Sequence, residues 1–270
     1  MAQDGSARDR IDTGRAHSAR VYDYILGGKD HYPVDAEAGD AMVAALPSLP
    51  VTMRQNRLFM QRVTRYLAKE AGIRQFLDIG TGLPTSPNLH EVAQRERPDA
   101  SVVYVDNDPI VLAHAQALLT SSRQGRTAYV DADIRRPETL LESEAFQELL
   151  DLKEPVGLTI IAMLHFLQIP EGYALVRRLL EPLPPGSCLA IATGTADFAP
   201  PEAARKMVAE YESRGIPMVA RNRDQVAAFF DGLELVEPGL TQVHRWRPTE
   251  EQKSVDDREV AMYGAVGRKP

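Results

Sequence analysis

Cysteine is almost missing from this chain of 270 residues: Cys188 stands alone, so no disulfide can form within the chain and a reducing compartment is expected. It lies in the apolar run Ser187 to Ala192, where a small core residue is expected rather than a nucleophile. Long apolar runs are lacking too. None approaches the roughly 18 residues of a membrane span, and the polar N-terminus MAQDGSARDRIDTGRAHSAR has no apolar segment of a secretory signal. A soluble, cytoplasmic protein without a membrane partner is expected. Basic excess is also absent. With 31 Lys and Arg against 38 Asp and Glu, a formal net charge of -7, the chain lacks the footprint of a nucleic-acid binder. Its histidines (His17, His31, His90, His114, His165, His244) show no metal-ligand spacing, so no metal is expected.

What is present is enough for one core. A 44% hydrophobic chain of this length can bury a sizeable interior, and α/β folds of such length are often one domain. Residues 1 to 18 hold almost no large apolar group and read as a mobile tail. Order is expected from Ala19, with an N-terminal helical part (19–71) before a core (72–270). In the helical part, Gly27 and Gly28 break a first helix. A second runs from Val34 to Leu46 until Pro47 and Pro50 stop it, and a third runs from Val51 to Ala71. Strand and helix then alternate. Strands are expected at Gln75–Ile79, Val102–Val105, Ala128–Val130, Leu158–Met163 and Ser187–Ala192, with helices opened by Ser86 and Pro87 and by Asp108 and Pro109. The second of these helices is expected to reach Leu119. Continuous apolar runs such as Leu158 to Leu164 suit a mostly parallel sheet buried on both faces.

The chemistry concentrates at two strand ends. FLDIGTGLPT (Phe76 to Thr85) joins an apolar stretch to Gly80 and Gly82, and VVYVDNDP (Val102 to Pro109) ends a second stretch in Asp106. This is the spacing of a strand, glycine loop, helix and strand that bind a nucleoside. Asp78 decides which one. A dinucleotide places a pyrophosphate over the loop, where helix N-termini favour negative charge, and a carboxylate there opposes it. S-adenosylmethionine brings an ammonium and a sulfonium, which Asp78 attracts. The third glycine of the dinucleotide fingerprint is also missing, since Leu83, Pro84 and Thr85 follow Gly82. Asp106 can accept both ribose hydroxyls. A third strand, YVDADI, ends at Asp133, whose carboxylate can take the adenine amine while Ile134 offers its backbone N–H and covers the ring. Thr81, Asn107 and Met163 complete the expected lining.

With these motifs stand ARVYDYILGGKD (Ala19 to Asp30), QNRLFMQRVTRYLA (Gln55 to Ala68), VVYVDNDPIVLAHAQALL and IAMLHFL (Ile161 to Leu167). Together they resemble the bacterial S-adenosyl methyltransferase family first catalogued as a domain of unknown function. The resemblance runs roughly from Arg20 to Arg268, and the LGGKD segment separates it from methyltransferases at large. It implies a class I methyltransferase fold: an α/β, doubly wound, Rossmann-like seven-stranded sheet that closes in an antiparallel hairpin. Leu233 onward and Val260 onward are then its two strands, with an exposed loop between. It also implies bound S-adenosylmethionine, and says little about the methyl acceptor.

His165 falls just past the fourth strand, at the ligand edge of an open α/β sheet. It is the candidate catalytic base, since imidazole titrates near working pH; the alternative is that it only shapes the pocket. Tyr22 and Gly28 belong either to a lid over the cation or to a helix merely docked on the sheet, and the family resemblance favours the lid. Arg57 can pair bidentately with the methionine carboxylate or stay solvated. The acceptor site is expected among the N-terminal helices and residues Thr193 to Met218. The expected activity is direct methyl displacement to an oxygen or nitrogen of a small molecule. A binding protein that senses the donor without transferring its methyl is the rival, and an NAD-dependent dehydrogenase is disfavoured by Asp78.

Overall fold

A computed structural model of the chain describes residues 12–118 and 121–270. The expected end of one helix at Leu119, and most of the expected tail, lie outside them. The described chain starts at Asp12, ahead of the expected Ala19, and residues 12–17 lead directly into the first helix.

Three helices come first: α1 (Ser18–Ile25), α2 (Pro33–Ala45) and α3 (Leu49–Lys69). Pro33 stands at the first turn of α2, where its missing N–H costs nothing. Strands and helices then alternate as β1 (Gln75–Ile79), α4 (Leu89–Glu96), β2 (Ser101–Asp106), α5 (Pro109–Leu118), β3 (Arg126–Asp131), α6 (Pro137–Leu141), α7 (Glu144–Leu149), β4 (Val156–Ile161), α8 (Ile169–Leu180) and β5 (Cys188–Gly194). After these come α9 (Pro201–Ser213), α10 (Arg223–Ala227), β6 (Glu234–Leu235), β7 (Thr241–Gln242), α11 (Glu250–Lys253) and β8 (Met262–Arg268).

Two helix starts show how local chemistry sets boundaries. Asp108 caps α5 as expected, its Oδ1 accepting the Ile110 N–H at 2.9 Å. The expected opening at Ser86 and Pro87 does not hold. The helix begins at Leu89, because Glu91 reaches back to accept the Asn88 N–H at 2.6 Å, and that reciprocal arrangement makes Asn88 the cap.

The sheet runs β3-β2-β1-β4-β5-β8-β6, with β7 also paired to β8. The first five strands are parallel and β8 is antiparallel to β5, β6 and β7. The expected architecture is present, with eight strands among the described residues rather than seven because both β6 and β7 lie against β8. The stretch before β8 is not simply an exposed loop. Trp246 and His244 are fully buried and Gln252 nearly so, with Trp246 edge-on to Phe59 and Tyr66 of α3.

Side-chain alternation sorts the core into two layers. Leu77, Ile79, Val103 and Val105 point to one face, and Phe76, Val102, Tyr104 and Cys188 to the other. Burial pushes the Cys188 thiol up to about 11, in keeping with an inert core residue. A third apolar cluster joins α1, α2, α3 and α9 around Met42, Met53, Met207 and Tyr211. It stands at the end of the sheet where the parallel strands finish, and there it helps to wall a cavity.

Candidate active site

The cavity measures about 650 Å³, within the span of roughly 300–1,000 Å³ usual for small-molecule sites. The ends of β1, β2, β3 and β4 form its floor, as expected for ligands of an open α/β sheet.

Asp78, in β1, is buried; its Oδ1 accepts the Thr159 hydroxyl at 2.6 Å. Burial above all pushes its carboxyl up to about 6, against the Thr159 hydrogen bond and the Arg57 charge, which lower it. Gly80 and Gly82 both take positive φ, +71° and +67°, which only glycine adopts without strain. At Gly80 space is short as well, since a Cβ would sit 2.7 Å from Met163 Cγ. Met163 is delivered there by Ala162, whose φ of 58° is unusual for a residue with a side chain. Thr81, between the glycines, sends its N–H to the Val105 carbonyl at 3.2 Å.

Asp106 ties this loop to the end of β2. Its Oδ2 accepts the Gly82 N–H at 2.9 Å, and its Oδ1 accepts those of Asn107 and Asp108 at 2.8 and 3.0 Å. Burial raises its carboxyl above the usual range in spite of those bonds. Asn107 is exposed beside it, at the cavity. Asp133 and Ile134 lie just past β3 rather than within it and also line the cavity. Asp133 Oδ1 accepts the Arg135 N–H at 3.0 Å.

The N-terminal helices close the opposite side. Tyr22 donates its hydroxyl proton to the Met53 carbonyl at 3.0 Å and accepts from Asn56 Nδ2 at 2.9 Å. This fixes the Asn56 amide orientation, and among the described residues its Oδ1 is buried without a partner. Arg57 lines the cavity and donates Nη2 to the Thr85 and Pro87 carbonyls. Gly28 does not line it. The structure places Gly28 one step back, its N–H on the Asp23 carbonyl at 2.8 Å, where a Cβ would collide with the Asp23 carboxylate.

Asn56 was not singled out from sequence, because one amide on a helix carries no pattern. His17 and Arg20 also escaped, the first lying in the expected tail. His17 Nδ1 sits 3.0 Å from Asp108 Oδ2 and Arg20 Nε 3.6 Å from it, while Arg20 Nη1 lies 3.5 Å from the fully buried Asp35. Burial opposes ionisation of Asp108, yet the His17 hydrogen bond and charge hold its carboxyl below the ordinary range. The start of the described chain is thus strapped to the residue two past Asp106. Among the described residues no group of three or more His, Cys, Asp and Glu side chains could hold a metal ion, and no helix is long and apolar enough to cross a membrane.

The residues present suit S-adenosylmethionine. Asn56 Oδ1, a buried acceptor lacking a donor, and Asp78 suit an ammonium, Arg57 a carboxylate, and Asp106 a ribose. A pH dependence follows for Asp78. Its pKa is raised from 3.8, so between that value and about 6 the folded protein holds a proton which a cationic ligand must expel. Titration calorimetry should show donor affinity rising with pH up to about 6, then levelling, by up to about tenfold per pH unit. An affinity flat across this window would remove Asp78 as the counter-charge.

Known proteins share the family and the fold. A profile of the family described as S-adenosyl methyltransferase matches residues 4–270. A crystal structure of a DUF574 family protein from Streptomyces avermitilis MA-4680 is 56% identical over 97% of this chain and 100% of that one, with a TM-score of 0.94. A proposed methyltransferase from Thermobifida fusca YX is 36% identical over 95% of this chain and 96% of that one, with a TM-score of 0.87. The plantazolicin methyltransferase BpumL, solved with S-adenosylhomocysteine, shares the fold at 10% identity and a TM-score of 0.51, over 93% of this chain and 95% of its own. No curated protein matches the chain. A glycine loop and acidic strand ends around one cavity, on a chain matched almost from end to end, lead to one conclusion: the protein belongs to the S-adenosyl methyltransferase family and is an S-adenosylmethionine-dependent methyltransferase.

Proposed function

We propose that the protein methylates an oxygen or nitrogen of a small molecule held in the same cavity as the donor. One observation carries this reading: the cavity that begins at Asp78 and Asp106 continues past His165 to Tyr211 and Met218, leaving room for a second ligand beside the first. S-adenosylmethionine, when bound, supplies a methyl group already activated by its sulfonium. The chain's task is then to hold the acceptor in line and keep water out, and alignment of this kind can lower a barrier by about 7–11 kcal/mol.

His165 serves that task as a donor rather than a base. The Gly194 N–H reaches its Nδ1 at 3.3 Å, so Nδ1 accepts and Nε2 carries the proton of the neutral ring. Burial, reinforced by the Arg221 charge, pushes its pKa down to about 3. A nitrogen this weakly basic takes up no proton at neutral pH, but Nε2–H can hydrogen-bond the acceptor atom. This replaces the candidate general base with an orienting contact, and it fits an acceptor that arrives neutral, whose oxygen or nitrogen lone pair attacks the methyl carbon and whose own proton is released to solvent with the product. The unfolded chain binds a proton at this residue below about 6.5 that the folded chain refuses until about 3, so stability contributed here is lost as pH falls through that window. By NMR, the His165 ring should show no titration between about pH 5 and 8. A midpoint near 6.5 would restore the base.

Radiolabelled donor incubated with the protein and a cell-extract metabolite pool tests the function itself. Label transferred to a small product is the expected result. Tight donor binding without transfer would turn the reading to a sensor.

A further inference from the structure

Methionine is unevenly placed in this molecule. Of the eight in the chain, Met53, Met60, Met163, Met207, Met218 and Met262 all line the cavity. They come from α3, the turn after β4, α9, the loop beyond it and β8, elements that share no sequence pattern. The sheet interior meanwhile is filled mainly by Leu, Ile and Val. Unbranched and polarizable, methionine adapts its shape to what it meets and makes favourable contacts with aromatic rings. Two rings stand with these thioethers: Phe166, whose centroid lies 4.2 Å from that of His165, and Tyr211, 6.1 Å from Phe166.

Charge at the cavity is already committed. Arg20 faces Asp35 and Asp108, Asp23 accepts the Asp30 N–H, Asp133 and Arg135 pair with each other, and Asp78, Asp106 and Arg57 belong to the donor. Asp12 and Arg15 are exposed. The wall from Leu49 and Met53 across to Met207, Tyr211 and Ile216 is buried and apolar, and the phenols beside it, Tyr22 and Tyr211, are kept neutral because burial raises the pKa of each. An ionised acceptor body would lose its hydration there without gaining a partner, which is costly.

We propose that the acceptor is an uncharged aromatic small molecule, its ring held among the methionine thioethers and its reactive heteroatom at His165. The proposal rests on the methyl-transfer reading above and narrows it. Because thioether walls reshape at little cost, the site accepts a family of ring systems rather than one.

Calorimetry on the protein saturated with S-adenosylhomocysteine tests this, with naphthol and naphthoate as probes that share a ring system and differ in charge. Naphthol is expected to bind at least about tenfold more tightly than naphthoate. Met218→Trp and Met207→Trp, which fill the chamber, should each weaken naphthol by about tenfold or more while leaving S-adenosylhomocysteine affinity within about twofold; the retained product affinity shows the variant is folded. Naphthoate binding as well as or better than naphthol would overturn the proposal, as would naphthol affinity unchanged in both folded variants. Binding of neither probe to a protein that takes S-adenosylhomocysteine would also overturn it, and leave methyl transfer standing. Failure to bind S-adenosylhomocysteine at all would instead remove the methyl-transfer reading, and this proposal with it.

Discussion

Asp106→Ala should weaken S-adenosylmethionine binding by about a hundredfold or more, the largest loss expected from any single change in the cavity. A charge-assisted hydrogen bond to a ribose hydroxyl is worth about 1.5–3 kcal/mol, roughly a tenfold to hundredfold effect. The structure adds a second loss. The same carboxylate accepts the N–H groups of Gly82, Asn107 and Asp108, so its removal leaves three donors short of a partner and frees the glycine loop from β2. Asp106→Asn keeps one acceptor oxygen and should fall between wild type and alanine. Calorimetry measures affinity and a thermal melt checks folding. An alanine variant that binds the donor like wild type would mean the ribose lies elsewhere.

Removal of residues 1–32 is the other large effect, with donor affinity expected to fall about a hundredfold while the sheet stays folded. The truncation deletes α1 with Tyr22, and it deletes His17 and Arg20, which both reach the Asp108 carboxylate. It opens the cavity to water on the side where Asn56 loses the hydroxyl that orients it. Contacts in a water-excluded site are worth more than the same contacts in solvent. The sheet should survive, because among the described residues its two apolar layers contain no buried residue before Phe59. A truncated protein with full affinity would make the segment a docked helix. Collapse of the thermal transition would show that it is needed for folding itself.

The glycine loop and the acidic strand ends were legible because each of them is local. Gly80 and Gly82 announce a backbone that only glycine follows, and Asp78 and Asp106 announce themselves by standing at the ends of apolar runs. Strand β1 was placed to the residue for the same reason. Asn88 displaced Ser86 as a helix cap through a side chain three residues away, a competition that composition does not rank. Gly28 was legible as special, but not the cause: it yields to the Asp23 carboxylate rather than to a ligand. The part of the expected tail that is described, from Asp12, is tied down by charge. His17 and Arg20 meet Asp108 from far along the chain, and sequence spacing carries no sign of such a pairing.

By itself the sequence determined the α/β class, the parallel core with its antiparallel end, the family and the methyl donor. The class and the parallel core rest on periodicity, the donor on short motifs whose residues act where they stand, and the antiparallel end on the family resemblance that those motifs carry. Only the tertiary structure set the surroundings of His165, whose Nδ1 meets an N–H from β5 and whose basicity is lowered by burial that no local pattern encodes. It alone brought six scattered methionines to one cavity. A strand end is written in consecutive residues, whereas an acceptor chamber is the space left between packed elements, and its chemistry exists only after packing has chosen which side chains face it.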